Sequence, residues 1–167
     1  MNDPLPSVYI ETSIISYLCA RDSRVADLLA RQYVTRLWWA QRNLFRCFVS
    51  NAVINECSAG DPVAARKRLD AMHDLPVLKI DEQTESLANL LLEQKIVPVK
   101  ARQDAVHIAT ATVHQMHFLL TWNCRHMANA DVMRKLKVFL DQAQLMLPII
   151  CTPEIFLGES KWKKMKS

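Results

Sequence analysis

Residues 7–18 read Ser7-Val8-Tyr9-Ile10-Glu11-Thr12-Ser13-Ile14-Ile15-Ser16-Tyr17-Leu18. The first four suit a short strand, Glu11-Thr12-Ser13 a polar loop, and Ile14, Ile15 and Leu18 the buried side of a helix. A strand that passes through a polar loop into a helix is the building unit of a parallel α/β sheet. Glu11 carries a second message. A carboxylate placed directly after an apolar strand stands at the carboxyl edge of the sheet, where open α/β folds bind ligands.

The same alternation continues outward. The spacing predicts a helix over 24–43, capped by Asp22 or Ser23, with Val25, Leu28, Leu29, Val34, Leu37 and Trp38 at helical intervals. Phe45 to Val49 is a second strand, and Ser50 or Asn51 caps a short helix, Ala52 to Ser58. Asp61-Pro62 opens a helix to His73, because aspartate accepts from the orphan donors and proline suits the first helical position. Pro76 to Ile80 is a third strand, and Asp81 caps a helix from Glu82 to Gln94. A helix over 101–115 leads to a strand at Phe118 to Thr121. A helix from Asp131 to Gln142 and a strand from Pro148 to Cys151 complete the pattern. The expected fold is a three-layer α/β/α sandwich with a mostly parallel sheet.

Composition supports one compact domain: 167 residues, 50% hydrophobic, 23% charged. No apolar run reaches the roughly 20 residues of a membrane-spanning helix, and the first ten residues lack the pattern of a signal peptide, so a cytoplasmic protein is expected. Cys19, Cys47, Cys57, Cys124 and Cys151 form no Cys-x-x-Cys pair, which argues against a disulfide framework and a structural zinc site. The net charge is +4. Lys161, Lys163, Lys164 and Lys166 crowd the end of the chain, and without them 17 basic residues balance 17 acidic ones. We therefore divide the chain into a domain over 1–155 and a basic tail over 156–167, in which Trp162 among the lysines suits a phosphate backbone.

Glu11, Ser50, Asn51, Thr121, Trp122 and Asn123 follow predicted strand ends. Glu56 lies one or two helical turns beyond the second, and Asp104 in the first turn of the helix that precedes the fourth. Three carboxylates and an amide thus have the means to converge. Two carboxylates 4 Å apart repel by about 4 kcal/mol at an effective dielectric near 20, so such a cluster requires a cation. All-oxygen ligation selects Mg²⁺ or Mn²⁺, often completed by substrate phosphates, and a water acidified by that ion can attack a phosphodiester.

The blocks VYIETSIISYL (8–18), FVSNAVINE (48–56), DAVHIATA (104–111) and FLLTWNCRHMANA (118–130) resemble the successive motifs of PIN-domain proteins, most closely the VapC-type toxin ribonucleases of toxin–antitoxin pairs. The likeness spans about residues 7–151. It implies a PIN-like α/β/α fold, a metal-dependent endoribonuclease acting on single-stranded RNA, a small antitoxin protein as partner, and a homodimer. The family's acids fall on Glu11, Glu56 and Asp104, and its fourth position on Asn123, with Thr12 and Thr121 as supporting polar residues. Two departures stand out: Glu11 is one methylene longer than the family's aspartate, and Asn123 adds no fourth negative charge.

His107 shares a helical face with Asp104 and reads as a packing residue. Arg102 and Arg125 border the site and are candidates for holding phosphate. The stretch 31–46 carries Arg31, Arg36, Arg42 and Arg46 with Trp38 and Trp39 and no acid. Its chemistry supports an alternative, a catalytically silent PIN-like module that binds RNA or protein through this helix. Trp38 is expected in the core and Trp39 at an interface.

Overall fold

The computed structural model describes residues 4–158. Its centre is β1 (Ser7–Ile10), buried over its whole length. The other strands are β2 (Arg46–Ser50), β3 (Val77–Leu78), β4 (Phe118–Leu120) and β5 (Ile149–Cys151). Together they form one sheet of order β3-β2-β1-β4-β5 with every pairing parallel. Val8 pairs with Cys47 on one side and Phe118 on the other. The side chains of β1 alternate between two faces yet are all buried, which requires cover on both, and the helices supply it.

The helices are α1 (Thr12–Cys19), α2 (Ala26–Ala40), α3 (Asn51–Ser58), α4 (Pro62–Ala71), α5 (Glu82–Glu93), α6 (Arg102–Val113), α7 (Ala130–Gln142) and α8 (Glu154–Leu157). The expected caps hold where a side chain reaches the first turn: Ser50 accepts from Val53, Asp61 from Ala64 and Asp81 from Thr84. Asn129 caps α7 in the same way, an assignment the sequence reading missed. Gly60, with φ of +87°, turns the chain between α3 and α4.

Some boundaries move. Helix α2 starts at Ala26, behind Val25, with no side-chain cap. Asp22 pairs instead with Arg36, and the Ser23 hydroxyl accepts from Val25 N–H. The third strand spans two residues rather than five. It is an edge strand that pairs with β2 alone and has little reason to extend. Core packing continues past residue 155. Phe156 is 4% exposed and packs against Trp38, Phe45 and Phe118, because the inner side of α8 closes that end of the core. The four lysines of the tail lie outside the described residues. Among those described, no helix is long and apolar enough to cross a membrane.

Candidate active site

The chain leaves β1 for β2 and β3 on one side, then returns to add β4 and β5 on the other. Such a reversal opens a crevice at the carboxyl ends of the central strands. Glu11 stands there, 6% exposed, directly after β1. Its backbone N–H continues the ladder to Leu120 C=O at 3.0 Å. The Thr121 hydroxyl donates to Glu11 Oε2 at 2.8 Å and the Ser13 hydroxyl donates to the same oxygen. Ser13 Oγ in turn accepts from Trp122 N–H at 2.8 Å. Oε2 is thereby anchored, and Oε1 faces His107 Nε2 at 4.0 Å.

Helix α3 brings Glu56 to the same place. Its Oε1 lies 3.0 Å from His107 Nε2. Burial works against the Glu56 charge, but the hydrogen bond and charge of His107 hold its carboxyl below the usual range. His107 itself is 1% exposed. Burial disfavours the imidazolium, yet the Glu56 hydrogen bond and the charges of Glu11, Glu56 and Asp104 outweigh it and raise the His107 pKa. Asp104, in the first turn of α6, is shifted upward, first by burial and then by the Glu11 charge, against the opposing influence of His107, His126 and Asn123. Tyr9 is pushed well above its ordinary value, chiefly by burial, so the phenol stays neutral.

The structure thus brings the predicted residues together with different roles. Ligand atoms of Glu11, Glu56 and His107 all lie within 4.8 Å of one another. Asp104, expected as a third acid ligand, is not part of this group but feels the charges of Glu11 and His107. Asn123 reaches it at one remove: Nδ2 donates to Asp104 Oδ1 at 3.0 Å, while Oδ1 accepts from His126 N–H. Thr121 Oγ1 both donates to Glu11 and accepts from Asn123 N–H. Thr12 Oγ1 is a buried atom left without a hydrogen-bond partner beside Glu56.

This donor set fits a divalent cation. Ligands about 2.1 Å from an octahedral ion stand about 3.0 Å apart when adjacent and about 4.2 Å when opposite. The separations of 3.0 and 4.0 Å from His107 Nε2 lie within that span. Concentrated negative charge and one orphaned hydroxyl point the same way. Sequence reasoning did not assign His107 here. The available signal was its place three residues after Asp104, on the same face of α6.

The flanking arginines divide. Arg102 turns to α5, donating to Asn89 Oδ1 at 2.8 Å and Glu85 Oε2 at 2.9 Å. Arg125 is exposed in the loop after β4. The arginines of 31–46 are largely occupied. Arg36 pairs with Asp22, Arg42 lies against Trp39 and near Asp74, Arg46 donates to Leu5 C=O, and Arg31 lies over Trp122. Trp38 is core, as expected, and Trp39 is half-buried beneath Arg42.

The topology is a PIN-like α/β fold similar to that of VapC structures. Among solved structures, the chain is similar to VapBC2 from Rickettsia felis, determined bound to a DNA fragment from their promoter. The TM-score is 0.55 at 15% identity, over 87% of this chain and 98% of that one. It is also similar to Mycobacterium tuberculosis VapC20, a sarcin-ricin loop cleaving toxin, with a TM-score of 0.52 at 15% identity over 71% and 91% of the two chains. No family model matches the sequence, and no curated protein matches it.

Proposed function

We propose that this protein is a metal-dependent endoribonuclease that cleaves single-stranded RNA, and that it acts in the cytoplasm as the toxin of a toxin–antitoxin pair. One observation carries the reading: Glu11 and Glu56, 45 positions apart, bring carboxylate oxygens within 4.8 Å of each other, under the influence of the Asp104 charge. The carboxylates repel one another, and a single imidazole does not balance three of them, so the group favours a bound cation. Glu11 and Glu56 would hold Mg²⁺ or Mn²⁺, with Asp104 adding charge and Asn123 orienting Asp104. The ion would acidify a water and offset charge developing on the phosphodiester. Thr121 and Ser13 fix the Glu11 carboxylate, so its geometry is set before substrate arrives. The Thr12 hydroxyl remains available to a substrate oxygen or a water. Arg125, exposed in the loop after β4, would meet a neighbouring phosphate. The likeness to VapBC2 and VapC20 supports a small antitoxin as partner and RNA as substrate.

The occupied arginines of α2 give no support to a silent binding module that uses that helix. Purified protein should cut single-stranded RNA with Mn²⁺ or Mg²⁺, and chelator, Glu11→Gln and Asp104→Asn should each abolish cleavage. Undiminished cutting in both variants would defeat the assignment. A short open reading frame beside the gene, whose product blocks cleavage and co-purifies with a dimer of this chain, would establish the toxin role.

A further inference from the structure

We propose that His107 is itself a ligand of the divalent ion, through Nε2, and that Tyr9 and Ser50 hold the ring from behind. This rests on the metal-dependent reading above and changes its coordination chemistry from all-oxygen to mixed nitrogen and oxygen.

A histidine that only fills space on a buried helix face needs its ring nitrogens satisfied, and neutral partners suffice for that. His107 instead aims Nε2 at two carboxylates, 3.0 Å from Glu56 Oε1 and 4.0 Å from Glu11 Oε1, at a site 1% exposed to solvent. Its hydrogen bond to Glu56 occupies the place where a cation would bridge the two groups. The opposite nitrogen is fixed just as closely. Nδ1 lies 2.7 Å from Tyr9 Oη, and Tyr9 Oη lies 2.8 Å from Ser50 Oγ. Ser50 Oγ also accepts from Val53 N–H at the start of α3.

The hydrogens can be ordered along this chain without conflict. Nδ1–H donates to Tyr9 Oη, the Tyr9 hydroxyl donates to Ser50 Oγ, and Ser50 Oγ accepts from both sides. In the metal-free protein a proton on Nε2 donates to Glu56; once a cation displaces that proton, the same order leaves the Nε2 lone pair directed into the acid group. It is the tautomer a metal-bound imidazole requires, with the second nitrogen donating to a buried acceptor. Tyr9 lies on β1 two residues before Glu11, and Ser50 six residues before Glu56. The strands that deliver the carboxylates therefore also deliver the support for the ring. An imidazole ligand moves the preference of the centre away from Mg²⁺ and toward Mn²⁺ and later transition ions.

Metal-stripped protein titrated with Mn²⁺ should bind one ion, and pulsed electron paramagnetic resonance of the complex should show ¹⁴N modulation from a directly bound imidazole. His107→Gln should lose that modulation and bind Mn²⁺ at least tenfold more weakly, with a smaller preference for Mn²⁺ over Mg²⁺. Tyr9→Phe should keep the nitrogen signal while weakening binding by about 10- to 100-fold, as loss of such a support typically does. The wild-type spectrum needs no variant to fold. Mn²⁺ bound without nitrogen coupling would overturn the His107 ligand and leave the metal-dependent nuclease standing. Failure of the wild type to bind Mn²⁺ or Mg²⁺ at all would overturn both.

Discussion

Thr121 Oγ1 donates a 2.8 Å hydrogen bond to Glu11 Oε2, joining the carboxyl ends of β1 and β4 across 110 positions of chain. The same oxygen accepts from Asn123 N–H at 2.9 Å, so one hydroxyl sets both the Glu11 carboxylate and the turn that carries Asn123. Thr121→Val preserves shape and removes both bonds. It should lower unfolding free energy by about 1–3 kcal/mol, as expected for unpaired buried polar groups, and reduce cleavage at least tenfold. Thr121→Ser should retain most of both in denaturant titrations and RNA cleavage assays.

Asp104 is an acid whose folded pKa is raised by burial and by Glu11. Its charge at neutral pH therefore opposes folding when no cation is present. Asp104→Asn should raise the melting temperature in chelator by roughly 1–3 °C, while abolishing cleavage. The asparagine keeps an oxygen for Asn123 Nδ2. A lower melting temperature in chelator would show that the acid group does not repel as described.

His107 and Glu56 give the metal-free protein a characteristic pH profile. The raised His107 pKa contributes stability that is complete below its unfolded value, about 6.5, and is lost as pH rises through the folded one. The lowered Glu56 pKa contributes stability present above its unfolded value, about 4.3, and lost as pH falls through the folded one. The pair is at full strength between about pH 4.3 and 6.5. In chelator, stability should decline as pH rises above about 6.5, and less steeply in His107→Gln. Equal slopes in the two proteins would contradict the charge assigned to His107.

Arg102 and Arg125 should separate in function. Arg102 sits in an exposed pair with Glu85, so Arg102→Ala should change stability by less than about 1 kcal/mol and leave RNA binding intact. Arg125→Ala should weaken binding across RNA sequences and reduce the salt slope by about one. The comparison is made by titrating RNA at several ionic strengths.

Phe156 closes one end of the core. Phe156→Ala should cost about 3–5 kcal/mol in a chemical denaturation experiment. A chain ending at residue 155 should be destabilised at least as much, whereas one ending at 158 should keep the core intact.

The alternation of short apolar runs with helical patterns was enough to fix strand order along the chain, the parallel α/β class and the caps at Ser50, Asp61 and Asp81. These depend on periodicity and on contacts within a few residues, which are written locally. That Glu11, Glu56 and Asp104 emerge near one another was legible for a related reason, since a position relative to a strand end or a helix start is also local. The uncapped start of α2 was not, because Asp22 found a partner in Arg36, a full helical span away. Nor was the membership of Phe156 in the core, which depends on rings from α2, β4 and the segment before β2.

His107 marks the limit most clearly. On its own helix it is one apolar-face residue among many, and spacing alone makes it packing. Only the assembled sheet puts Tyr9 behind its Nδ1 and Glu56 in front of its Nε2, from strands and helices 98 and 51 positions away. Sequence determined which elements form and where their carboxylates emerge, because backbone propensity and side-chain periodicity act over short range. Tertiary structure decided what each buried polar atom faces, because hydrogen bonds and charge act through space between segments that the chain keeps far apart.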